Sequence, residues 1–130
     1  MWLMVLSNYG YVEGKGAATV DLDDPIEAAK KIFALSPSKT METSGEFFNP
    51  NFILLDESRH VACRKEQFSP SSGLPGEYLI CDRRFTEDEI AAWAEECGLS
   101  VAECRFVRSG FDVKCDSTSG KEILLVTKKR

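Results

Sequence analysis

Residues 85–98 read FTEDEIAAWAEECG, and this stretch states where a helix begins, which face it buries and where it stops. Thr86 and Glu89 have the spacing of a capping box: the hydroxyl can accept from the amide of Glu89 while the carboxylate reaches back to the amide of Thr86. Phe85 and Ile90 occupy the two positions of a hydrophobic staple. Ile90, Trp93, Ala94 and Cys97 then recur at helical spacing, with Glu87, Asp88, Glu95 and Glu96 toward water, and Gly98 can take the left-handed conformation that closes a helix. The spacing predicts an amphipathic helix over Glu87–Cys97. Beyond it, Val101–Val107 and Glu122–Thr127 read as strands, joined by a segment whose Gly110, Asp116, Ser117, Ser119 and Gly120 supply turns.

Working back from this end, Asp24, Pro25 and Glu27 predict a second helix start, with aspartate as the cap and proline at the first helical position. Ala28, Ala29, Ile32, Phe33 and Leu35 give that helix a broad apolar face, and Ser36-Pro37 ends it. Trp2–Leu6 is a short apolar run consistent with a buried strand, and Val20–Leu22 reads as a short strand or part of a connection. Phe52–Leu55 and His60–Phe68 read as a hairpin around the polar turn 56–59, its second strand apolar on one face and charged on the other. After the loop SPSSGLPG, Glu77–Cys81 returns as a strand. The expectation is one α+β domain over residues 1–130: a mixed, largely antiparallel sheet of about six or seven strands, with two amphipathic helices against one face.

FTEDEIAAWAEECGLSVAECRFVR (residues 85–108), followed by KEILLVTKK (121–129), resembles the C-terminal end of class I S-adenosylmethionine-dependent methyltransferases. In that family an FT-x-x-E helix leads into the antiparallel strand pair that closes a Rossmann-like sheet. KIFALSPSKTMETSGEFFNP (31–50) looks like the family's passage from a helix into its fifth strand, and WLMVLSNYGYV (2–12) like its fourth strand and following loop. The resemblance covers the second half of such a domain, and the glycine-rich loop and acidic strand end that hold the cofactor have no counterpart in these residues. It implies that the loop at Asn8, Tyr9 and Gly10 contacts S-adenosylmethionine and that Tyr11 orients an acceptor. It also implies that the insertion between the fifth strand and last helix shapes an acceptor pocket or a subunit contact. A sheet without its first strands would expose an edge, which a second copy of the chain can cover, so a homodimer is expected.

Composition narrows the function classes. Hydrophobic residues make up 43% and charged residues 28% of the 130 positions, an ordinary globular balance. With 16 basic against 21 acidic residues the net charge is −5, which opposes a phosphate backbone, so nucleic acid is not expected as a partner. No apolar run approaches the roughly 20 residues of a membrane helix, and MWLMVL lacks the basic flank of a signal peptide, so no membrane association is expected. The cysteines 63, 81, 97, 104 and 115 are odd in number and form no C-x-x-C pair. They fit small buried hydrophobes in a reducing compartment, the cytoplasm, and no metal site is expected from their spacing.

The candidate chemistry is sparse. Gly10, Gly14 and Gly16 follow a strand, yet neither a Walker loop nor a dinucleotide fingerprint has their spacing, and a turn accounts for them. His60, the only histidine, falls at a hairpin turn, where an exposed bystander is the plainer use than a general base. Asn8, Tyr9 and Tyr11 have two open uses, contact with a ligand or cover for a core edge. Phe47 and Phe48 beside a turn either line an apolar pocket or anchor a loop. Arg83 and Arg84 either clamp a carboxylate or phosphate or pair with the acidic first turn at Glu87 and Asp88. Two functions from different classes follow: a small ligand-binding or protein-interaction module on a methyltransferase-like scaffold, not catalytic alone, or an S-adenosylmethionine-dependent methyltransferase, or subunit of one, acting on a small molecule. The residues do not decide whether the chain is an enzyme.

Overall fold

The computed structural model describes residues 1–37, 50–68, 76–108 and 113–130. The chain divides into two compact units, Met1–Glu13 with Arg84–Arg130, and Gly14–Arg83. The class is α+β: the described residues contain two α-helices and two mostly antiparallel sheets.

The first unit is built on β1 (Trp2–Ser7), α2 (Glu87–Glu96), β6 (Leu99–Arg108), β7 (Val113–Cys115) and β8 (Glu122–Lys129). Its sheet runs in the order β1-β8-β6-β7 with every pairing antiparallel. Register explains the core. Met4 lies opposite Leu125, which lies opposite Cys104; Leu6 lies opposite Ile123, which lies opposite Phe106. Because side chains alternate faces, these two rows share one side of the sheet. They pack there against Ile90 and Phe85.

The Glu89 amide donates to Thr86 Oγ1 at 3.3 Å, as the spacing predicts, while the Glu89 carboxylate accepts from that same hydroxyl at 3.2 Å, where the expectation was the Thr86 amide. Gly98 closes the helix with φ 77°, donating its amide to the Glu95 carbonyl. The buried face is narrower than the apolar spacing implied. Ile90 and Ala94 are buried, whereas Cys97 is exposed and Trp93 keeps 44% of its surface, its ring set edge-on to Phe85 at 5.6 Å.

The second unit contains β2 (Ala18–Thr19), α1 (Pro25–Ala34), β3 (Ile53–Asp56), β4 (Val61–Phe68) and β5 (Gly76–Arg83). Its sheet order is β2-β3-β4-β5, with β2 parallel to β3 and the rest antiparallel. Asp24 caps α1 by accepting from the Glu27 amide at 3.2 Å, with Pro25 in the first turn. Ala28 meets Val20, Leu54 and Cys63 in the core, with Ile32 and Leu35 packed alongside.

Several expectations change. Among the described residues the strands form two sheets of four rather than one of six or seven, and each helix covers its own sheet, α1 with β3 and β4, α2 with β6 and β8. The short strand near residue 20 is Ala18–Thr19, and β7 forms within the segment read as turns only. Phe33, assigned to the core face of α1, is 80% exposed, with the Lys65 ammonium 6.0 Å from its ring centroid. On β4 the polar face is not solvated: Ala62 and Glu66 are buried, and Arg64 spans Glu66 at 3.0 Å and Asp82 at 2.8 Å. A charged strand face can be buried when each charge meets a partner across the sheet, which sequence alternation alone cannot report.

Candidate functional site

At the end of β1 the chain makes a tight turn, the 3₁₀ segment Tyr9–Tyr11, and Asn8 caps it by accepting from the Gly10 amide at 3.0 Å. The other end of the same side chain reaches the opposite loop. Asn8 Nδ2 donates to the carbonyls of Ser117 at 2.8 Å and Gly120 at 2.7 Å. One buried amide thus joins the end of β1 to the turn before β8. That turn is itself built on Asp116, which accepts from the amides and hydroxyls of Thr118 and Ser119 at 2.8–3.0 Å. Those hydrogen bonds hold the Asp116 carboxyl down at about 2.

The closeness of these loops requires glycine twice. A Cβ on Gly10 would collide with the Ser117 carbonyl oxygen, and one on Gly120 would stand 2.7 Å from Phe106 Cβ. On its other side the end of β1 meets the chain entering α2: Phe85 donates its amide to the Ser7 carbonyl at 2.9 Å and accepts from the Tyr9 amide at 2.9 Å.

Between these segments lies an open cleft of about 390 Å³. Asn8 and Gly10, the α2 start at Thr86, Glu87 and Asp88, and the turn at Ser117 and Thr118 line it, with Glu13 and Phe106 completing the wall. Amides at a helix start favour an anion. Here, however, Glu87, Asp88 and Glu13 put carboxylates around the opening, so the charge favours a cationic or neutral ligand. On β6, burial, then the charge and hydrogen bond of Glu87, push the Cys104 thiol up to about 11.

The sequence-derived candidates separate on this framework. Asn8 and Gly10 do line the cleft. Tyr9 and Tyr11 are buried, at 2% and 8% exposure, and the Lys121 ammonium lies 5.8 Å from the Tyr11 ring centroid. Arg84 is half-buried and donates to the Asn8 carbonyl at 3.2 Å, so it braces the β1 turn. Arg83 is exposed at the end of β5, opposite Val61. Phe47 and Phe48 lie outside the described residues. His60 is half-buried with φ 54°, so it serves the β3–β4 turn in a left-handed conformation.

The second unit carries its own polar centre, at a hairpin turn whose sequence shows only that it is polar. Asp56 is 1% exposed; its carboxylate accepts from the Leu22 amide at 3.0 Å, Ser58 Oγ at 2.8 Å, and the Arg59 amide and guanidinium at 3.1 and 3.2 Å. Burial alone would raise its pKa, but these four bonds outweigh it and hold the carboxyl at about 2. Arg59 also pairs with Asp23. Asp56 thus joins the hairpin turn to the segment that leads into α1. Signals for the missed residues existed only in part. The D-S-T-S-G run at 116–120 marks an Asp-anchored turn, but nothing local says that the turn meets Asn8.

Among the described residues, no group of three or more histidine, cysteine or acidic side chains is arranged to hold a metal ion, and no helix is long and apolar enough to cross a membrane. No protein-family model, no curated protein and no solved structure matches the chain.

Proposed function

We propose that this chain is a small α+β interaction module on a methyltransferase-like scaffold, that it pairs with a second copy of itself, and that it does not transfer methyl groups alone. The observation that carries the reading is the outer edge of β1. On one side β1 is paired with β8 from Trp2 to Ser7; on the other, among the described residues, Phe85 alone takes up backbone groups, and only at the Ser7–Tyr9 end. Trp2 to Leu6 therefore present an edge with no charged residue, no proline and no bulge, the devices that usually blunt such edges. Trp2, Leu3 and Val5 are 64%, 64% and 42% exposed.

A second copy is the occupant that this edge suits. Two identical uncharged strands related by a two-fold axis pair antiparallel with no like-charge penalty, and Leu3 and Val5 of each copy extend one apolar face. The scaffold reading is supported by the passage from α2 into the antiparallel β6 and β8, the arrangement that the FT-x-x-E resemblance implies. The structural employment of Asn8, Tyr9 and Tyr11 argues against catalysis by the chain alone. The cysteine content suits a cytoplasmic setting.

The test is solution mass by sedimentation at micromolar concentration, for the chain and for Leu3→Lys and Val5→Lys. A dimer that either lysine converts to monomer supports the reading; a monomeric parent chain overturns it.

One observation favours a second reading, a small-molecule site in the cleft at Asn8 and Gly10. Its acidic rim suits the sulfonium cation of S-adenosylmethionine. Titration calorimetry with S-adenosylmethionine and the uncharged-sulfur S-adenosylhomocysteine checks it. Heat with the former that weakens in Glu87→Gln supports the site, and no heat with either retires it.

A further inference from the structure

We propose that Cys63 and Cys81 are a reversible dithiol/disulfide site in the second unit, in which the exposed Cys81 meets the oxidant and the buried Cys63 closes the bond. The two residues are direct partners across β4 and β5, so their side chains leave the same face of the sheet. Directly opposed residues of antiparallel strands have Cα atoms about 4.5 or 5.5 Å apart, both within the range a disulfide spans. Their sulfurs already lie 3.0 Å apart, about 1 Å more than a disulfide bond of roughly 2.05 Å.

Burial divides the roles. Cys63 is 0% exposed, packed among Val20, Ala28 and Leu54, so an oxidant in solution cannot reach it. Cys81 is exposed on the outer strand of the sheet. With a low-molecular-weight disulfide as oxidant, the Cys81 thiolate attacks one sulfur, forming a mixed disulfide and releasing one thiolate. Cys63 then gives its proton to water and attacks the Cys81 sulfur, expelling the second thiolate. Two protein thiols are oxidised and one small disulfide is reduced to two thiols.

Burial, followed by the hydrogen bond and charge of Cys81 and the charges of Asp82 and Asp56, pushes the Cys63 thiol up to about 12, which makes it the second partner rather than the first. The part due to Cys81 disappears once Cys81 is a mixed disulfide. Proximity then compensates for the small thiolate fraction.

The bond would close a loop over residues 63–81 and tie the outer strand to the core strand. Constraining the unfolded chain in this way raises Tm by on the order of 10 °C.

The experiment treats the chain with oxidised glutathione, using a Cys97→Ser background to remove another exposed thiol, and reads intact mass, linked peptides and Tm. The expected result is a loss of two hydrogens in mass, a peptide pair joined through residues 63 and 81, and a higher Tm, all reversed by dithiothreitol. A glutathione adduct that persists on Cys81 without ring closure overturns the proposal, as does a chain that keeps both thiols. Cys81→Ser, a change at an exposed position, leaves the fold intact and should leave Cys63 reduced; its oxidation elsewhere would equally overturn the pairing.

Discussion

The side-chain amide of Asn8 donates to the main-chain carbonyl of Gly120 at 2.7 Å, across 112 positions of sequence. Together with the bond to Ser117 it satisfies both N–H groups of a side chain that is 2% exposed. The first unit is therefore closed by one polar staple, and its removal leaves buried carbonyls without donors.

Replacing Asn8 by alanine should cost about 2–4 kcal/mol, the sum of lost bonds and orphaned acceptors. Asn8→Asp should cost at least as much, because a carboxylate would face the two carbonyl oxygens. Urea denaturation followed by circular dichroism checks both. A loss below about 0.5 kcal/mol for Asn8→Asp would show that the staple does not form.

Gly120→Ala should destabilise for steric reasons alone. The added methyl would stand 2.7 Å from Phe106 Cβ and 3.0 Å from the Val107 amide nitrogen, so backbone must move. Overpacking of this kind costs about 1–3 kcal/mol. A thermal melt should show the loss, whereas Gly14→Ala, with open space around its Cβ, should show only the smaller cost of its left-handed φ of 72°.

Asp56 makes stability depend on acid pH. Its pKa is about 2 when folded against 3.8 ordinarily, so the folded state favours the carboxylate. That contribution is fully present above pH 4 and is lost as pH falls through about 2. It amounts to on the order of 2 kcal/mol. Denaturation midpoints between pH 5 and 2 should fall steeply for the parent chain and less steeply for Asp56→Asn. Asp116, held at about 2 in the other unit, keeps some slope in that variant. An unchanged slope in Asp56→Asn would remove Asp56 as the source.

How much of this was legible without coordinates depended on the range of each interaction. Both helix starts were, because Asp24 with Glu27 and Thr86 with Glu89 settle their hydrogen bonds within three residues. The turn at Asn8 and Gly10 is legible from the residues that follow the apolar run of β1, but the bonds to Ser117 and Gly120 are not, since nothing in a D-S-T-S-G turn names a distant partner. Phe33 and Cys97 had the spacing of core residues and lie exposed, because each helix meets its sheet over a narrower stripe than its apolar face offers.

By itself the sequence determined where the helices begin, the alternation of its strands and the positions of its turns, all of which follow from backbone stereochemistry and neighbours a few residues away. Only the tertiary structure decided that the strands divide into two sheets, that Asp56 and Asn8 are buried centres of hydrogen bonding, and that Cys63 stands against Cys81. Register and sheet membership are chosen by burial summed over whole faces, and that sum exists only once distant segments have met.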